Sequence, residues 1–300
     1  MNRPKLALYA TVYPAVRRFL PAWYRSVQDQ VDDGFDLWLG VDAMTKADVV
    51  ACLGTEPTAH WVVAEHGDTG TSVRLRAMQR IVDRYDAVVF VDSDDLLSPT
   101  RIAEDRKQLQ RHDVVGCALR VVDESGADTG VIFGPAPEAR PDEDLARYNV
   151  FGLSNSAYRS DVLRRCLPFP SECVLVDWFL ATRAWLGGAD LWFDATPRMR
   201  YRQYGLNIAR IIPPFTAQEV SNATQRVLGH YDLVLPLAHG TNPAHTEAMR
   251  AAQREVATFA SAVRDAPAKL AAYTRALNCL PTRYVWWWAV ANPQLRHLWS

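Results

Sequence analysis

The run Ala87-Val88-Val89-Phe90-Val91, ending in Asp92-Ser93-Asp94-Asp95, constrains the fold more than any other stretch of the chain. Five consecutive apolar residues, three of them valine, read as a strand buried on both faces, the environment of a parallel sheet. Ser98-Pro99 follows as an N-cap with proline at the first helical position, so a helix is expected to begin there. The carboxylates then sit at the carboxyl end of a central strand, where open α/β sheets place ligands. Three carboxylates about 5 Å apart repel by roughly 3 kcal/mol per pair at an effective dielectric of ~20. A hard divalent cation with oxygen ligands relieves that repulsion and bridges to phosphate oxygens. A solvated acidic turn capping the next helix is the alternative reading.

The first half of the chain alternates strand and helix. Strands are expected at Leu6–Thr11, Phe35–Val41 and Trp61–Ala64, and helices at Val16–Gln30, Lys46–Leu53 and Ser72–Tyr85, with Phe19, Leu20, Trp23 and Val27 on one face of the first. The strand carrying the acidic turn is then fourth in order. Such alternation argues for a mostly parallel central sheet with helices on both faces. Beyond a helix from Pro99 to about Arg111 the pattern changes to a strand at Val114–Val122 and a turn at Asp123–Asp128. Pro135–Asp144, with three prolines and four acids, reads as a mobile surface loop. Past about Phe215 the sequence is helical and alanine-rich. The expected division is a catalytic α/β domain over residues 1–215 and a helical C-terminal extension over 216–300.

With 300 residues, 49% hydrophobic and 22% charged, the chain has ample material for a core. A net charge of −1 argues against nucleic acid as a partner. The five cysteines (Cys52, Cys117, Cys166, Cys173, Cys279) are odd in number and lack CxxC spacing, which suits reduced thiols. His239 and His245 stand apart from other metal-ligating residues. The opening residues do not resemble a signal peptide, and no run approaches ~20 apolar residues. The expected location is therefore cytoplasmic.

Several segments, in order, resemble the family 2 glycosyltransferases of GT-A fold. These are Thr11-Val12-Tyr13, the strand ending in Asp42, the basic position Arg74, Asp92-Ser93-Asp94-Asp95, Val176-Asp177-Trp178, and Tyr201-Arg202-Gln203-Tyr204-Gly205-Leu206-Asn207. The resemblance covers about residues 5 to 210. Departures fall at Ala43-Met44-Thr45, Leu75, Val176 and Tyr204, the last where many members carry a histidine near the metal.

The resemblance implies a metal-dependent, inverting transfer of a sugar from a nucleotide-sugar donor, a UDP-sugar by default, to an acceptor hydroxyl. Asp94 would hold a Mn2+ or Mg2+ ion, with Asp92 near it or the ribose. Asp42 would meet the base edge, and Arg74 or Arg202 the phosphates, while Thr11, Tyr13 and Ser93 fall at donor-binding positions. Asp177 is the candidate general base that takes the acceptor proton. Trp178 is a candidate stacking surface for the acceptor, with core packing as its alternative. The acceptor class stays open among a cell-surface polysaccharide, a lipid-linked glycan and a small metabolite.

In Tyr284-Val285-Trp286-Trp287-Trp288-Ala289-Val290 the indoles, with Arg283 and Arg296 nearby, suit a membrane interface. Burial against the catalytic part or a second subunit is the alternative. A rival function is a phosphatase of the haloacid-dehalogenase type, with Asp92 as nucleophile and Asp94 as acid/base. A degenerate GT-A domain that binds without catalysing is the non-enzymatic rival.

Overall fold

The computed structural model describes residues 3–135, 144–205, 207–238 and 240–300. Most of the expected loop at Pro135–Asp144, together with Leu206 and His239, lies outside the described residues.

The N-terminal part runs β1 (Leu6–Val12), α1 (Leu20–Gln28), β2 (Phe35–Val41), α2 (Lys46–Leu53), β3 (Ala59–Val63), α3 (Gly70–Val82) and β4 (Ala87–Phe90). Every residue of β1 and β4 is buried, as uninterrupted apolar runs in a covered sheet should be. Helix starts are set locally. Thr45 with Asp48, and Thr69 with Ser72, form capping boxes at α2 and α3, and Gly54 ends α2 in the left-handed conformation at φ +73°. The first helix is shorter than its pattern suggests: a 3-10 turn at Pro14–Val16 precedes α1, with Pro21 in the first turn. Its apolar face is nevertheless the expected one, with Leu20, Trp23 and Val27 buried.

The chain continues through β5 (Leu96–Leu97), α4 (Arg101–Gln108), β6 (Val114–Val122), β7 (Asp128–Phe133), β8 (Ser156–Arg159), α5 (Ser160–Cys166), α6 (Val176–Leu186) and β9 (Leu191–Arg202). Ser98 does not cap the helix after the acidic turn. Leu96 and Leu97 pair antiparallel with β9, the Ser98 amide donates to the Arg198 carbonyl, and α4 begins only at Arg101. A sheet bond to a strand a hundred residues away thus outcompetes a local helix signal.

Among the described residues one nine-stranded sheet forms, in the order β3-β2-β1-β4-β8-β6-β9-β5, with β7 on the side of β6. β1 pairs parallel with β2 and β4, and β2 with β3. β8 is antiparallel to both β4 and β6, so β6 runs with β4, and β9 is parallel to β6. Six strands therefore share one direction, and β5, β7 and β8 oppose it. The order reverses between β1 and β4. Right-handed crossovers then put α1 and α2 on one face and α3 on the other. The crevice outside the carboxyl ends of β1 and β4 is the topological switch point of the sheet, where such folds bind ligands.

The remaining helices are α7 (Ala217–Val234), α8 (Pro243–Arg264) and α9 (Pro267–Leu277). Thr216 and Glu219 form a capping box at α7. The Tyr231 hydroxyl donates to the Ala146 carbonyl, and the Tyr273 hydroxyl to that of Ala289. After α9 the chain is largely irregular apart from a 3-10 turn at Pro293–Leu298, so the tryptophan segment is not helical. Among the described residues no helix is long and apolar enough to cross a membrane.

Candidate active site

The acidic turn lies at the switch point as its sequence implies, but its four residues have separate environments. Ser93 is buried and its hydroxyl donates to the Thr11 carbonyl at 2.6 Å, tying β4 to the end of β1. Asp95, 1% exposed, is held on both oxygens: Oδ1 accepts from the Arg202 amide at 2.7 Å and Oδ2 from the Ser154 hydroxyl. This carboxylate fixes the turn. Asp94 is buried but lines a cavity, and its Oδ2 accepts from the Tyr204 hydroxyl at 2.8 Å. Asp92 is partly exposed on the same cavity wall.

The cavity has a volume of about 150 Å3. Asp177, in the first turn of α6, also lines it, and its Oδ2 accepts from Asn149 Nδ2 at 2.9 Å. Arg74, from α3, and Tyr13 complete the polar wall, while Tyr201, Trp286 and Trp287 form an aromatic one. The Arg74 Nε donates to the Thr11 hydroxyl at 3.2 Å, which aims the guanidinium between strand end and cavity.

Burial dominates the electrostatics. It pushes Asp92 up to about 7, with Asp94 adding repulsion and Arg74 partly offsetting both. Asp94 and Asp95 are raised in the same direction, again chiefly by desolvation. Asp177 is raised to about 6 by burial, against the opposing effect of backbone amides at the start of α6, Arg74 and Asn149. A carboxylate in that range is ionised at neutral pH yet more basic than a free aspartate, as a general base requires.

The structure brings Tyr13, Arg74, Asp92, Asp94 and Asp177 to one cavity, with Thr11 and Ser93 behind it as supports. Asp42 directly follows β2 and lines a separate cleft with Met44, Glu65 and His66, beside the N-terminus of α3. Gly70 lies against this carboxylate, so that a Cβ there would stand 2.9 Å from Asp42 Oδ2 and displace it.

One expectation is corrected, and two readings that the sequence left open are decided. Arg202 is buried and its guanidinium donates to the backbone carbonyls of Asp94 at 2.9 Å and Glu124 at 2.8 Å, so it supports the acidic turn and does not face the cavity. Trp178 is 0% exposed, donates through Nε1 to the Leu145 carbonyl and stacks on His230 at 4.0 Å. It is a core residue and offers no surface to an acceptor. Trp286, Trp287 and Trp288 are 5%, 8% and 4% exposed, so they are not a membrane-facing cluster. The Trp286 amide bonds to the Asn149 carbonyl, and its ring fills the space above Gly152, where a Cβ would stand 2.4 Å from Cη2.

Sequence reasoning missed Asn149 and Ser154, which bear no anomaly of charge or pattern. Tyr204 stood out only as a departure from the pattern of the family that the sequence resembles, and its phenol turns out to bond Asp94 directly.

No family model matches the chain, and no curated protein matches it. Solved structures do match. S. aureus TarS 1-349 superposes with a TM-score of 0.60 at 14% identity, over 87% of this chain and 73% of that one. The same protein in complex with UDP-GlcNAc gives 0.58 at 13%, over 89% and 75%. The mannosyltransferase PcManGT from Pyrobaculum calidifontis, in complex with GDP-Man and Mn2+, gives 0.55 at 16%, over 92% and 81%. The GT-A-like fold, with a mixed central sheet and a helical C-terminal part, is thereby established.

Proposed function

We propose that the protein is a glycosyltransferase that moves a sugar from a nucleotide-sugar donor to an acceptor hydroxyl. The observation that carries this reading is the single cavity at the switch point whose lining includes Asp92, Asp94, Asp177 and Arg74. Asp177, held by Asn149, takes the proton as the acceptor oxygen attacks the anomeric carbon. One base with direct displacement inverts the anomeric configuration. Arg74 meets phosphate charge, and Asp42, in its own cleft beside the start of α3, meets the nucleobase. Solved neighbours with UDP-GlcNAc and with GDP-Man and Mn2+ support a nucleotide-sugar donor and leave its base undecided.

The donor set for a divalent ion is small. Among the described residues no group of three or more His, Cys, Asp or Glu could hold a metal. Asp95 is occupied on both oxygens, and one oxygen of Asp94 accepts from Tyr204. Asp94 and Asp92 remain, which fits Mn2+ or Mg2+ bound through one or two carboxylates with donor phosphates and water completing the shell. Such an ion would supply neutralisation of the departing diphosphate.

Calorimetric titration with UDP, GDP and dTDP, with and without Mn2+, on the wild type and Asp94→Ala, tests the reading. Metal-dependent binding of one nucleotide, lost in the variant, is expected. Absence of nucleotide binding under every condition would remove it, and binding without transfer or donor hydrolysis would favour the non-catalytic module.

A further inference from the structure

A second cavity, of about 200 Å3, lies beside the first and belongs to no role assigned above. It is walled by the segment after Tyr204, by α7 and by the tryptophan segment. The two cavities have Asn207, Ile208, Ala209 and Trp287 as common lining residues. They are neighbouring compartments, one carrying the reacting carboxylates and the other none but Glu219.

One of the shared residues is held in an unusual conformation. Trp287 has φ +72°, a left-handed geometry that costs a non-glycine residue on the order of 1 kcal/mol or more. Surrounding packing enforces it: the indole is buried and lies parallel to Trp178, 6.3 Å away. Strain of this kind persists where neighbours over-determine a side chain, and it clusters at ligand sites.

The walls of the second cavity are amphipathic. Trp287, Trp288 and Phe215 supply aromatic surface, and Asn222, Glu219 and Arg226 supply polar edges. A pyranose has the same division, with C–H faces that meet the negative face of an aromatic ring and hydroxyl edges that need hydrogen-bonding groups. Charge argues against a second phosphate site. The Arg210 guanidinium lies 3.6 Å from the Glu219 carboxylate, and Arg226 donates to the Ile208 carbonyl. This compartment therefore suits one ring of a larger ligand whose remainder occupies the first.

We propose that the second cavity is an acceptor subsite, holding the sugar ring next to the one that receives the transferred residue. The acceptor is then an oligosaccharide or polysaccharide and not a lone monosaccharide or small metabolite. The inference rests on the transferase reading of the first cavity.

The test is binding of paired sugars, each methyl monosaccharide against its di- and trisaccharide, measured by calorimetry and saturation-transfer NMR with the preferred nucleotide present. Gluco-, galacto-, manno- and N-acetylglucosamine series serve as probes. At least one series is expected to gain about tenfold or more in affinity from mono- to disaccharide. That gain should vanish in Ala223→Phe, which fills the cavity from α7, and in Asn222→Ala, which removes a polar edge with little effect on packing. Equal affinities in every series, no oligosaccharide binding at all, or a gain retained in both variants would each overturn the subsite. The wild-type nucleotide titration separates the two levels: absent nucleotide binding defeats the transferase reading, whereas nucleotide binding without an oligosaccharide gain defeats the subsite alone.

Discussion

The acidic turn and the tryptophan segment are both short, contiguous stretches that reach the same cavity, yet they are held by opposite means. Polar bonds from distant parts of the chain fix the turn: Ser154 and the Arg202 amide on Asp95, Tyr204 on Asp94, and Thr11 on Ser93. Packing fixes the tryptophans, with the Trp286 ring 4.1 Å from that of Phe133 and 5.8 Å from that of Tyr201, and with left-handed backbone at Trp287 and Ala291. The difference separates chemistry from shape. Carboxylates can be kept near one another in a buried place only if each unused oxygen is satisfied. An aromatic wall requires only volume complementarity, and its errors appear as voids.

Breaking the chemical side gives the largest effect. Asp177→Asn should lower turnover by up to roughly 10^4-fold while nucleotide affinity stays near wild type. Equal losses of turnover and nucleotide binding in steady-state and calorimetric assays would remove the base assignment.

On the packing side, Trp286→Ala should cost about 3 kcal/mol of unfolding free energy, because a buried indole leaves a void between Gly152, Phe133 and Tyr201. Urea denaturation reads it, and a midpoint unchanged from wild type would show that the segment is not held by packing. Ser154→Ala should cost about 1–2 kcal/mol, since it deprives Asp95 Oδ2 of its donor in a buried site. If the Ser154 loss exceeds the Trp286 loss, the contrast between the two regions is reversed.

The finest test joins the regions through Asn149, whose side chain donates to Asp177 and whose carbonyl accepts from the Trp286 amide. Burial raises Asp177 to about 6, and the Asn149 bond opposes that rise. Turnover should therefore fall as pH drops through about 6, where the base becomes protonated. Asn149→Ala removes the opposing bond, so the acid limb of the profile should move to higher pH. A limb that stays in place in the variant would show that Asn149 does not tune the base.

Much of this arrangement was legible in the sequence because its causes are local. The apolar runs at Leu6–Val12 and Ala87–Phe90 become buried strands, since periodicity and β-branching act over a few residues. Charge beside such a run is an anomaly, so Asp92 and Asp94 could be singled out at the predicted strand end, whereas Asp177 was picked out only through the resemblance to a known family. The tryptophans were conspicuous but ambiguous. A membrane interface, a second subunit and the chain's own core all bury indole, and only the tertiary structure selects the last.

What the sequence by itself determined is where apolar strands end and which charged residues stand against them. The tertiary structure alone decided which of those residues face the cavity and which support it. Arg202 and Asp94 look equally functional as letters, yet one guanidinium is bound by backbone carbonyls and one carboxylate is open to the cavity. The partners that decide this are far away in the chain: Asn149 is 28 residues from Asp177, Ser154 is 59 from Asp95, and Tyr204 is 110 from Asp94. Such pairings depend on sheet order and strand direction, which bring the ends of β4, β6 and β9 and the start of β8 to one edge. No local pattern encodes that edge, because it exists only once every strand has found its neighbour.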